Sequence, residues 1–480
     1  MEKQNYSSVD KTTSSITIDK LIKDSEFSYY PLLALLNAVM GIFLTGIEMN
    51  LYTFLLIPYR NKMNYGNIFE EFCASSIFFG FALGAFLVGY LTKIHGRVFP
   101  CKICSLGITL FHLLMIIILN KVFLLIIRFL MGFLLGAYVV TLINIFSEYR
   151  SSQNRAFYVA LLWAIYQLGC FIEALLGWWV MPNYERKRIR GLLAVYLITP
   201  VCAALLNFFT LYDSPSNLIL NGDKDNAFLI LKSINKDTEL SEDEKTQIQN
   251  EVNNSNMYNI NLNVFDSIQN NYSSNTIIFY VIILILAGAY YGILILTPNT
   301  KARLYKNKQN VYNMVVKSQV LIYLISFIFS VGAAFVIQLK LLTKKLFLMI
   351  CFILAALVTF FAIYIKATFS WLIGIYTSTT YIAANILVTH LIDLFNAKTK
   401  DLAFGFQIMC YMVLCAFSQI WMLALYHVYF RLPYILYCVF CCGGAILIYL
   451  SPFDDSEGKF NANILNPEHK NLNQDVNKDQ

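Results

Sequence analysis

Three ionisable side chains stand where charge is costly to hold. Glu48, Arg128 and Glu173 each interrupt a run of apolar residues long enough to cross a bilayer. A charged group at such a position faces a cavity or a partner. At about 1.5 Å of rise per residue, each lies roughly 10–13 Å from the outer end of its run. Two acids and a base at one depth form a candidate buried charge cluster, either a coupling device or an ion pair that only locks helices together. If Glu48 takes up a proton, Arg128 loses its partner and the local packing has two states to choose between. Catalytic chemistry has no comparable signal. The chain carries no GxSxG nucleophile elbow, no HExxH zinc motif and no GxxxxGK[ST] phosphate loop. No catalytic residue, metal or cofactor is expected, and the chain is not expected to be an enzyme.

The elements that must position these groups follow from composition. Hydrophobic residues make up 58% of the 480 and charged residues only 14%, against roughly a quarter charged in a soluble domain. The net charge of +7 is diffuse, with no long basic run interleaved with aromatics, which argues against nucleic acid as a partner. The 11 cysteines fall mostly inside apolar stretches and lack paired CxxC metal spacing. Twelve runs reach span length, at about 31–57, 72–91, 99–119, 121–146, 156–181, 191–211, 276–297, 313–338, 346–365, 368–392, 402–427 and 433–451. The layout is a polar tail (1–30), a six-helix bundle (31–212), a cytoplasmic linker (213–275), a second six-helix bundle (276–452) and a polar tail (453–480). The linker contains "TELSEDEKTQIQNEVNN", which reads as one solvated helix. Loop charge alone does not fix the orientation.

The two halves repeat one another. Glu148 and Arg155 follow the fourth run at a spacing of seven, and Asp393 and Lys400 follow the tenth at the same spacing. An acid and a base at equivalent places of two six-span halves suit a duplicated bundle.

Five motifs then carry a family resemblance. "GYLTKIHGRV" (89–98) resembles the loop between helices two and three of the major facilitator superfamily, G-x3-D-x2-G-R-R/K, through Gly89, Gly96 and Arg97. Lys93 replaces its acid, and Val98 its second base. "TGIEMNLYTFLLIP" (45–58) resembles first helices of the organic-ion and synaptic-vesicle-protein branch, where D-G-x-E is common; Gly46 and Glu48 match, and Thr45 replaces the acid. "RFLMGFLLGA" (128–137), "DSPSNLILNGDKDNAFLILKSIN" (213–235, with Ser216 in place of Arg) and "YYGILILTP" (290–298) resemble helix four, the segment after helix six and helix seven of that branch.

The resemblance implies an all-α membrane protein of twelve transmembrane helices in two pseudo-symmetric bundles. It implies transport of a small organic solute, an organic ion or a sugar-like metabolite, by alternating access within a lipid bilayer. Protons are the implied coupling partner, with Glu48 and Arg128 in the coupling role. In this fold helices one, four, seven and ten face the cavity, helped by five, eight and eleven. Candidate lining residues are therefore Tyr166, Gln167, Tyr290, Tyr291, Tyr376, Thr380, Asn385, Gln407 and Tyr411. Inner-face gating falls to Gly89, Lys93, Gly96, Arg97, Glu148, Arg155, Asp393 and Lys400. His112 reads as a helix-packing histidine. Lys93 and Ser216 leave a second possibility open, a transport-inactive scaffold or sensor subunit in a membrane complex. The chain is expected as a multi-pass protein of the plasma membrane or an internal organelle membrane.

Overall fold

The computed structural model describes residues 27–63, 66–118, 120–151, 154–182, 188–220, 222–234, 246, 248, 250, 290–305, 311–339, 341–365, 368–392 and 397–450. The first half supplies α1 (Tyr29–Met63), α2 (Asn67–His95), α3 (Val98–Ile117), α4 (Lys121–Glu148), α5 (Arg155–Val180) and α6 (Ile189–Thr210, interrupted at Leu197). Two short helices follow, α7 (Pro215–Leu220) and α8 (Lys224–Ile234). The second half supplies α9 (290–304). It continues with α10 (Val311–Gln338), α11 (Lys344–Tyr364), α12 (Phe369–Ile392), α13 (Ala397–Val428) and α14 (Leu432–Leu450). Ten of these helices are long and apolar enough to cross a membrane. The other two of the twelve are α9, whose run begins before the described residues, and α12, whose centre "YTSTTY" dilutes its apolar character. The "TELSEDEKTQIQNEVNN" stretch lies almost wholly outside the described residues.

The solvent written into the sequence shows in α3. Its outward face carries Phe99, Ile103, Leu106, Leu110, Leu113 and Ile117 at helical spacing. Its inward face buries Ser105 and His112 beside Cys104, Ile108 and Met115. A soluble helix would invert this pattern, so α3 presents its apolar stripe to lipid. Capping sets the ends. Asn120 accepts from the Val122 amide at 2.9 Å to start α4, and Thr343 accepts from Leu346 at 3.3 Å to start α11. Gly96, at φ 72°, closes α2 in a conformation open to glycine.

Packing repeats between halves. Helix α2 packs on α4 as α10 packs on α12, and α3 meets α4 and α6 as α11 meets α12 and α14. Between the bundles, α2 packs on α13 and α10 on α5, two contacts that a half-to-half exchange interconverts. Gly80 and Gly84 of α2 lie against the carbonyls of Phe129 and Phe133, while Gly132 and Gly136 of α4 lie against those of Ile77 and Phe81. With lipid as apolar as the helices, such close backbone approach is what holds α2 to α4.

Candidate functional site

At the end of the bundles where α2 turns into α3, a buried charge cluster is built around Arg97. Its Nη1 lies 2.7 Å from Glu148 Oε2 at the end of α4, and its Nε 2.9 Å from Asp401 Oδ2 on α13 of the opposite bundle. Asn144 of α4 donates to the second Asp401 oxygen at 2.6 Å. The segment after α6 closes the cluster from below: Ser214 donates to Glu148, and the Arg97 amide reaches Asp213 at 3.4 Å. Ser214 also caps α7, accepting from the Asn217 amide, with Pro215 at the first helical position. Burial alone would lower the basicity of Arg97, but the carboxylates of Asp401, Glu148 and Asp213 more than reverse it. Burial pushes the Asp213 carboxyl above its ordinary range, against the pull of Arg97 and Asn217.

Gly89 sits at the same crossing. A Cβ there would meet the Leu402 Cα at 2.8 Å and the Asp401 carbonyl oxygen at 3.2 Å. Arg155 donates to the Ser147 and Arg150 carbonyls at 2.9 and 3.4 Å, tying α5 to the end of α4. Lys93 and Lys400 lie on the helical backbones of α2 and α13, and Asp393 lies outside the described residues. Asp401 was not among the residues expected from sequence, and it is the acid that joins the two bundles here.

Midway through the bundle interface, tyrosines from both halves meet. Tyr166 and Tyr291 bond hydroxyl to hydroxyl at 2.7 Å, and Gln167 donates to the Tyr290 hydroxyl at 3.0 Å. Tyr381 of α12 stacks on Tyr166 (5.4 Å between ring centres) and tilts against Tyr290 (5.1 Å). Four sequence candidates thus come together, and Tyr381 joins them although only its neighbours had been singled out. Tyr411 and Gln407 are buried on α13 and Asn385 on α12. Thr380 instead bonds back to the Tyr376 carbonyl at 2.9 Å. Tyr376 lies among Tyr434, Tyr437 and Cys441 inside its own bundle.

The buried charges are arranged differently from expectation. Glu48 does not pair with Arg128. Its Oε1 lies 2.6 Å from Nδ1 of His112, whose Nε2 lies 2.9 Å from the Leu193 carbonyl oxygen. A carbonyl only accepts, so Nε2 carries a hydrogen, and Nδ1 and Glu48 hold one further proton between them. Glu173 is close enough to Glu48 for the carboxylates to act on each other; its Oε1 has no hydrogen-bond partner among the described residues. Arg128 turns elsewhere, its Nε donating to the Cys73 carbonyl at 2.9 Å and its guanidinium 4.3 Å from the centre of the Tyr52 ring. The expected cluster had left out His112, which lies at roughly the same 10 Å, seven residues from the end of its run, and takes the place expected of Arg128 beside Glu48.

Comparison with known proteins places this geometry. The sequence profile of the Major Facilitator Superfamily matches residues 38–392. An organic cation/carnitine transporter, number 7 of Arabidopsis thaliana, is 29% identical over 218 residues, covering 45% of this chain and 43% of that one. Synaptic vesicle glycoprotein 2C of Mus musculus is 23% identical over 204 residues, covering 41% and 28%. In both cases the match spans less than half the relative's length. The proton:xylose symporter XylE bound to 6-bromo-6-deoxy-D-glucose superimposes with a TM-score of 0.70 at 16% identity, over 88% of this chain and 95% of that one. XylE from E. coli in a partially occluded inward-open conformation gives the same score at 14% identity, over 88% and 97%. These likenesses carry the fold. The family profile spans most of the two bundles described above, and the chain is an integral multi-pass membrane protein that belongs to the Major Facilitator Superfamily, whose members are transporters rather than enzymes.

Proposed function

We propose that the chain is a secondary active transporter of a small organic solute, working by alternating access with proton coupling. The observation that carries this reading is the Arg97–Asp401 pair. It ties the two bundles by charge at the end where α2 crosses α13, beneath a tyrosine layer that joins them further along the interface. Ion pairs across such an interface are discrete contacts that rocking of one bundle on the other breaks and remakes. The names of the relatives, an organic cation/carnitine transporter and a proton:xylose symporter, agree in substrate scale.

Proton coupling rests on Glu48 and His112. The two share one proton in an interior that disfavours net charge, so gain or loss of a proton changes the charge of the pair by one unit. Lys93, where the family has an acid, favours the alternative reading of a transport-inactive scaffold. Asp401 weighs against it, because Arg97 keeps carboxylate partners without an acid at position 93. The test is solute flux in proteoliposomes with and without a pH gradient. Flux of small organic solutes that responds to the gradient is expected; wild-type protein that binds solute without moving it, under either condition, would leave the scaffold reading standing.

A further inference from the structure

Arg128 is 3% exposed, and among the described residues no carboxylate pairs with it. Among the same residues only its Nε makes a hydrogen bond, to the Cys73 carbonyl, so its two terminal nitrogens have none there. The side chain lines a small cavity between the bundles, together with Tyr52, Thr53 and Phe78 of the N-terminal half and Tyr291 and Gln419 of the C-terminal half. The cavity holds about 10 Å³, room for roughly one water. On the far wall, the Gln419 amide nitrogen donates to the Tyr291 carbonyl at 2.6 Å, leaving Oε1 as an acceptor without a partner among the described residues. The face of α1 toward this space also explains the lost counter-charge. Thr45, Met49 and Tyr52 follow one another at helical spacing, and Thr45 stands where the resembled family carries an acid, its hydroxyl bonded back to the Gly41 carbonyl at 2.7 Å.

From this we infer that Arg128 is the docking group for a carboxylate of the transported solute. This inference rests on the transport reading and narrows its substrate class to small organic carboxylates, zwitterions included. A guanidinium offers paired donors in a planar fork that matches a carboxylate, and here the Tyr52 ring and the more distant Glu48 act on its charge, with no carboxylate of the described residues in the fork. Gln419 Oε1, from the opposite bundle, accepts from a hydroxyl or N–H elsewhere on the same solute, so one ligand touches both halves. Glu48, on α1 near the same depth, acts on Arg128 only from a distance, because its oxygen is held by His112 and leaves the fork open. Glu70 and Glu71 lie at the start of α2, on the same helix as Cys73 but toward its outer end. The cavity widens for a solute only as the bundles separate, which fits a closed state without ligand.

The experiment uses the full chain in lipid nanodiscs. Thermal unfolding is followed with acetate, 3-hydroxybutyrate and benzoate, each beside its uncharged amide, and with benzylammonium. At least one carboxylate is expected to bind about 10- to 100-fold more tightly than its amide, the range of a charge-assisted hydrogen bond. Arg128→Lys, which keeps the charge but loses the fork, should remove most of that preference. Met49→Glu, which sets a built-in carboxylate beside the same cavity, should abolish it. Equal shifts by acid and amide, a stronger shift by benzylammonium, no shift by any carboxylate, or a preference that survives both variants would overturn the inference. Flux of the same probes into proteoliposomes is read separately. Carboxylate binding without flux removes the transport reading alone, and flux of the cation without carboxylate binding removes this inference alone.

Discussion

Arg97 and Asp401 stand 304 positions apart in the chain and 2.9 Å apart in space, and their contact crosses from one bundle to the other. Breaking the contact from its two sides should not cost the same. Arg97→Ala strands Glu148 and Asp401 together, a loss of roughly 3–5 kcal/mol in the closed arrangement. Asp401→Asn leaves Arg97 with Glu148 and costs only about 1.5–3 kcal/mol, the worth of a hydrogen bond to a charged group. Thermal unfolding of the two single variants and the double variant checks this. Equal single effects that add in the double would mean that the pair contributes nothing as a pair.

Gly89 gives a steric route to the same gate. In Gly89→Leu the new Cβ runs into the Leu402 backbone at 2.8 Å, a contact that side-chain rotation cannot relieve. The expected outcome is separation of α2 from α13 at the inner end with little loss of helical content. Pulsed electron resonance between spin labels on the inner ends of those helices reads it directly; an unchanged distance distribution would show that Gly89 does not control closure.

Glu48→Gln keeps the shape of the side chain while fixing its neutral form. Accumulation driven by a pH gradient is expected to fall to background, while exchange of labelled solute across the membrane persists. His112→Gln should give the same split, because it removes the other half of the shared proton. A Glu48→Gln protein that still concentrates solute in a pH-dependent way removes this pair from the coupling step.

Asp213 adds a pH dependence with a defined sign. Burial raises its carboxyl in the closed gate, so that arrangement binds the proton more tightly than a hydrated, open one would. Its contribution to closure is complete below the ordinary aspartate pKa of about 3.9 and is lost as pH rises through the raised value. Asp213→Asn should therefore flatten the dependence of gate closure on pH between acid and neutral conditions. Labelling of an inner-face reporter cysteine across that range measures it, and a slope as steep as wild type would assign the effect to another group.

Layout was legible in the sequence because span length is set by bilayer thickness, and twelve runs of that length leave little choice. Partnership was not, because depth along a helix says nothing about rotation around it. Glu48, His112 and Arg128 lie in one depth band, yet His112 turns to Glu48 while Arg128 turns to Tyr52 and Cys73. Asp401 was hidden for another reason: an acid within the first turns of a helix is ordinary, and only the crossing of α2 and α13 makes it the partner of Arg97. The tyrosine pair "YY" at 290 and 291 was legible as a pair of polar rings inside an apolar run, whose hydroxyls need hydrogen-bond partners, and both found them. Tyr376 shows the limit. It shares α12 with Tyr381 but is five residues away, more than one turn, and so points into its own bundle.

The hydroxyl-to-hydroxyl bond between Tyr166 and Tyr291 has an electrical consequence. Phenols that satisfy each other across the interface need no water as partner there, and the adjoining cavity admits about one molecule. On the proposed transport reading, such a contact would resist ion leak through the closed protein. A solute that enters must exchange that phenol–phenol bond for bonds of its own, so passage and leak are opened by the same event. Tyr166→Phe with Tyr291→Phe keeps the rings but removes the latch, and an uncoupled current under applied voltage is its expected signature.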